Sequence, residues 1–110
     1  MNPLWSQHLG AYVFETYDRR PDFAFLEVQQ VHSALVVSKN QLPCQADGLI
    51  APLALPVALG IKTADCMPIA IIGVTGVALV HAGWRGLAAG ILAQEQIRAL
   101  RPRQALIGPC

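Results

Sequence analysis

Charge is what this sequence has least of. Only 14% of its 110 residues are Asp, Glu, Lys or Arg, and eight cations against seven anions leave a formal net charge of +1. A balance this close to neutral carries no electrostatic footprint for nucleic acid. The one basic cluster, Arg98, Arg101 and Arg103, reads as a helix C-terminus whose cations complement the dipole. Long apolar runs are missing as well. The stretches 49–61 and 67–80 are interrupted by Pro52, Pro56, Pro68, Gly73 and Gly76, so neither supplies the roughly 20 uninterrupted apolar residues of a membrane span. No positively charged segment followed by an apolar core opens the chain, as a signal peptide would. Cysteine is scarce and odd in number. Cys44, Cys66 and Cys110 are poor material for a disulfide framework and better material for thiol or metal chemistry in a reducing compartment. The expectation is a soluble, cytoplasmic protein with no nucleic-acid or membrane partner.

What is present is apolar. Hydrophobic residues make up 54% of the chain, which excludes a disordered tail and suits strands buried on both faces, or a surface that something else covers. The length suits one domain, residues 1–110. Strands are expected over 11–16, 23–28 and 35–38, followed by a loop over 39–45 and a short edge strand over 47–50. Residues 57–63 read as a buried strand running into Ala64-Asp65-Cys66. Residues 69–72 and 77–80, separated by Gly73-Val74-Thr75-Gly76, read as an antiparallel hairpin. Leu87, Ala88, Ile91, Leu92 and Ala99 or Leu100 mark one face of a helix over 87–100 that Pro102 stops. A further strand is expected over 104–107, and Ile-Gly-Pro-Cys directly after it suggests a domain incomplete at its C-terminus. The fold class that follows is α/β, with a sheet-dominated architecture and one helix starting at a glycine-rich strand end.

His32, Cys66 and His81 each fall where an expected strand gives way to a turn, and strand ends on one edge of a sheet can converge. Two imidazoles and a thiolate suit zinc and leave a fourth coordination position for water, whose pKa the ion lowers to roughly 7. Spacing alone does not decide between such a site and His and Cys packed in a core, since no CxxC or HxxxH pattern is present.

The local contexts add to this. The segments Gln30-Val31-His32-Ser33, Ala46-Asp47-Gly48-Leu49, Thr63-Ala64-Asp65-Cys66-Met67-Pro68, His81-Ala82-Gly83-Trp84-Arg85-Gly86 and Ile107-Gly108-Pro109-Cys110 resemble the YfiH-like family of laccase-domain proteins. Its members are described as purine nucleoside phosphorylases and, in an older description, as copper-dependent polyphenol oxidases. The resemblance covers about residues 29–110. It implies an α/β/α sandwich with a mixed sheet and a Zn2+ site (Cu2+ in the alternative) on His32, Cys66 and His81. It also implies phosphorolysis of adenosine, inosine, guanosine and methylthioadenosine, together with adenosine deamination. The partners it implies are purine nucleosides and phosphate. Amide hydrolysis on peptidoglycan precursors is also attached to some bacterial members.

Cys66, His81 and Asp65 are the catalytic candidates, and Arg85 and Gln30 the substrate-binding ones. Each has a competing reading. Arg85 forks onto a phosphate or pairs with Asp65; Asp65 orients a ligand imidazole or caps its turn; Gln30 meets a base edge or satisfies backbone groups. Trp84 stacks on a purine or packs in the core. Gly83 and Gly86 allow positive φ or a close approach. A cysteine hydrolase with Cys66 as nucleophile and His81 as base, and an inactive zinc-binding remnant, are the rival functions. Strand edges left bare would drive self-association.

Overall fold

The computed structural model describes residues 1–109; Cys110, and with it the end of the Ile107–Cys110 motif, lies outside the described residues. At its centre is a five-stranded mixed sheet of β4 (Val36–Ser38), β5 (Gly48–Pro52), β7 (Met67–Gly73), β8 (Gly76–Ala82) and β9 (Pro102–Ile107), in the order β4-β5-β8-β7-β9. β4 runs parallel to β5, and every other neighbouring pair in the sheet is antiparallel. Two small sheets flank it: the hairpin of β1 (Trp5–Leu9) and β2 (Tyr12–Thr16), and a parallel pair of β3 (Phe25–Leu26) with β6 (Ala58–Leu59).

The β7–β8 hairpin forms as the glycine-bounded turn suggests, and Val77, Leu79 and His81 of β8 pair with Ile72, Ala70 and Pro68 of β7. Strand alternation then divides the sheet into two faces. Ile69, Ile71, Ala78, Val80 and Ala82 pack with Val36 under Ile91, Ile97 and Leu100 of the helical segment. Val37 and Leu49 turn the other way, towards Val28 and Ala46. Leu49, Val80 and Ile91 are sealed from solvent, and each such burial contributes on the order of 2 kcal/mol. Among the described residues the helical segment covers one face of the sheet, and extended chain covers part of the other.

Four expectations are corrected. The helix over 87–100 is three pieces: α1 (Trp84–Ala88), a 3-10 turn over Ile91–Ala93 and α2 (Glu95–Ala99). Gly90, at φ 81°, breaks it, because a left-handed residue ends an α-helix and glycine adopts that conformation without a Cβ clash. The short strand near 47–50 is not an edge strand; β5 lies between β4 and β8. Of the apolar run 57–63 only Ala58–Leu59 pairs, and it does so outside the main sheet, with its residues exposed or half-buried. Of 23–28 only Phe25–Leu26 is strand. No helix among the described residues is long and apolar enough to cross a membrane.

Candidate metal centre

The His-Cys-His triplet converges. One donor atom each from His32, Cys66 and His81 lies within 4.8 Å of the others, and the two imidazole centroids are 5.0 Å apart. Each ligand is delivered by a different local device. His81 is the penultimate residue of β8, buried and opposite Pro68 of β7. Cys66, half-buried, precedes β7. His32, exposed, sits in a loop at φ 62°, a conformation costing a non-glycine residue on the order of 1 kcal/mol.

A carboxylate holds two of these devices together. Asp47, fully buried just before β5, accepts hydrogen bonds at Oδ1 from the backbone N–H groups of Val31 (3.1 Å) and Ser33 (2.8 Å) and from the Ser33 hydroxyl (2.8 Å). Its Oδ2 accepts from the His32 N–H (3.1 Å) and lies 2.7 Å from His81 Nδ1. Burial opposes the charge, but the donors from Ser33, His81 and Val31 outweigh it and hold the carboxyl below the usual aspartate range. An ionised carboxylate only accepts, so His81 carries its proton on Nδ1 and leaves Nε2 free as a ligand atom. The same carboxylate stabilises the His32 loop in its left-handed turn. Gly83, following β8, completes the cradle: a Cβ there would meet Cys66 Sγ at 3.0 Å and His32 Cδ2 at 3.7 Å. Gly86 does the same against the Ser33 carbonyl, at 3.0 Å. Neither φ is positive, so both glycines serve close approach.

The donor set fits a small tetrahedral cation. Bonds of about 2.0–2.3 Å place tetrahedral donors roughly 3.5 Å apart, so closure of the widest pair by about 1 Å suffices. One imidazole already has its tautomer fixed by a carboxylate, the arrangement typical of a metal-bound histidine.

A family model described as multi-copper polyphenol oxidoreductase laccase matches residues 13–110. The chain belongs to this family. It is similar to a purine nucleoside phosphorylase of Aquifex aeolicus, 42% identical over 66 residues, covering 60% of this chain and 31% of that protein. A purine nucleoside phosphorylase of Xylella fastidiosa is 36% identical over 95 residues, covering 74% of this chain and 36% of its own length. A solved structure of a Neisseria meningitidis protein of the DUF152 family matches with a TM-score of 0.58 and 38% identity, over 67% of this chain and 32% of that one. The chain thus spans about a third of the length of these laccase-domain relatives.

Against this family background, the structure sorts the remaining site candidates. Asp65 is exposed and makes no side-chain hydrogen bond or ion pair among the described residues; the orienting carboxylate is Asp47 instead. Arg85 is exposed and does not pair with Asp65; its guanidinium lies 5.3 Å from the Trp84 ring centroid. Trp84 is 75% exposed, which removes it from the core. Gln30 clamps the backbone of Lys62, accepting from its N–H (2.7 Å) and donating to its carbonyl (2.6 Å). Cys44 is half-buried against the smaller core cluster, and His8 is exposed. Sequence reasoning missed the role of Asp47. The signal was an aspartate inside the Ala46-Asp47-Gly48-Leu49 segment, between two apolar residues, at a position that burial makes costly unless several donors converge.

Proposed function

We propose that this chain carries the metal-binding part of a zinc-dependent purine nucleoside phosphorylase that also deaminates adenosine. The observation that carries the reading is the convergence of His32, Cys66 and His81 within 4.8 Å, with Asp47 presetting the His81 tautomer. The names of the phosphorylase relatives support the substrate class. In this reading His32, Cys66 and His81 hold zinc, which supplies a Lewis acid when bound. Cys66 as thiolate and the two neutral imidazoles leave it a net charge near +1.

The protein's own groups do the rest. Asp47 holds the His81 ring in place and keeps the proton on Nδ1. Asp65, exposed and next to Cys66 in the chain, is the further catalytic candidate of this reading. Arg85, without a carboxylate partner among the described residues, presents its fork to phosphate. Gln30 acts one step back, by fixing the backbone at Lys62. The complete fold is an α/β/α sandwich in this reading, with the helical segment as one outer layer. The protein is cytoplasmic, and the bare edge of β9 drives its self-association.

The family description favours a second reading, a copper-dependent oxidase of phenols. Copper outcompetes zinc for nitrogen donors in solution, so copper uptake by itself proves nothing. Elemental analysis of protein purified without added metal separates the two. One zinc per chain, lost in Cys66→Ala, together with phosphate-dependent release of hypoxanthine from inosine, is the expected result. Copper with an intense thiolate colour and turnover of catechol favours the oxidase. No metal in the wild-type chain overturns both.

A further inference from the structure

On the sheet face opposite the helical segment, strand alternation places Leu79 and His81 side by side along β8, two residues and so about 7 Å apart. Pro68, directly across from His81, and Ala70, across from Leu79, share that face. Leu79 and Pro68 form the floor of a cavity of about 400 Å³ walled by β2 with the loop after it and by residues 58–63. This volume lies in the range of small-molecule sites.

The walls are aromatic. Tyr17, Phe23 and Phe25 form an edge-to-face chain, with ring centroids 5.7 and 6.4 Å apart, and Phe14 also lines the cavity. The rim is polar: Arg20 lies 4.6 Å over the Phe25 ring while paired with Glu27, and Lys62 stands on the segment that Gln30 clamps. The residues 60–63 that wall the cavity lead within three positions to Cys66, and its floor residue Pro68 follows Cys66 by two. None of His32, Cys66 and His81 lines the cavity; the link between the two is the sheet face on which His81 stands beside Leu79 and across from Pro68.

We infer that this aromatic cavity is the seat of the purine base of a nucleoside, with the sugar directed towards His81. The inference rests on the proposed function and extends it, since the reading of the metal group names no surface for the base. A flat heterocycle offers both faces and edges to the aromatic walls. The mixed charges of the rim suit hydroxyl and ring-nitrogen partners better than a wholly apolar ligand. A single phenol ring would leave much of the volume unfilled.

The test uses equilibrium dialysis of the full chain with radiolabelled inosine, and with catechol for comparison, alongside zinc content by elemental analysis. Ala58→Trp puts bulk into the cavity from an exposed lining position, and Phe25→Leu removes a wall ring while keeping an apolar side chain. Inosine binding weakened at least tenfold in both variants, with zinc content unchanged, is the expected result. Inosine binding by the wild type that neither variant alters overturns the inference and leaves the metal reading standing. So does a wild type that binds no inosine, or binds catechol more tightly. Inosine binding that persists in protein without metal, and is lost in Ala58→Trp, upholds the cavity while the metal reading fails.

Discussion

Replacing Asp47 by Asn changes almost no volume and tests the centre most directly. The carboxylate receives three donors at Oδ1 and two at Oδ2. An amide keeps only one acceptor oxygen, which settles where three donors converge, and its NH2 group then faces the His32 N–H and His81 Nδ1. The His32 N–H loses its partner, and His81 loses a charge-assisted bond unless its proton moves to Nε2. At about 1–3 kcal/mol for each such loss, the variant is destabilised by on the order of 3 kcal/mol. For a chain of this size the metal-free protein would then melt roughly 10–15 °C lower. The tautomer shift places a proton on the nitrogen needed as a ligand, and the His32 loop loses its anchor. Removing an outer-shell partner typically costs 10–100-fold in metal affinity, and two ligands are affected here, so the upper end is expected. Zinc affinity measured by competition with a chromophoric chelator, and thermal melts in EDTA, give both numbers. Affinity within threefold of wild type would refute the assignment of Asp47 as the group that presets the centre.

Two further perturbations separate local causes. Gly83→Ala introduces a Cβ 3.0 Å from Cys66 Sγ at an ordinary φ, so it should weaken zinc binding severalfold in the same competition assay while the metal-free melting temperature falls by only a few degrees; unchanged affinity would show that the sulfur has room to move. Away from the centre, the hydrogen bond from Arg20 outweighs partial burial and holds Glu27 below the usual glutamate range. Its contribution to stability is therefore present above the unfolded glutamate value of about 4.3 and fades as pH falls through the folded one. The melting-temperature gap between wild type and Glu27→Gln should close on acidification, and a gap independent of pH would count against the ion pair.

The parts of this fold legible in the sequence are those where one local signal sufficed. Gly73 and Gly76 bracket the turn of the β7–β8 hairpin, and an expected strand end marks His81; His32 and Cys66 were legible only through their local motifs, since one stands in a loop and the other just ahead of β7. Where two local signals competed, periodicity misled: the apolar face running through Leu87, Ile91 and Leu100 reads as one helix, yet Gly90 adopts a left-handed conformation and divides it. Apolar content alone misplaced residues 57–63, since that run walls a cavity and gives only two residues to a sheet. Asp47 was hidden for a different reason. Its five donors come from residues 14 to 34 positions away, and sequence proximity favoured Asp65, which the fold leaves in solvent.

The turn at Val31–Ser33 has the makings of a phosphate cradle: three successive backbone N–H groups aimed at one point, around a left-handed residue. In this protein the cradle is already filled from within. A tethered carboxylate competes at an effective concentration that no freely diffusing anion matches, so inorganic phosphate is shut out of this pocket of amides. Any oxyanion that meets this chain must then find its donors elsewhere, and these backbone amides keep one histidine in register with another.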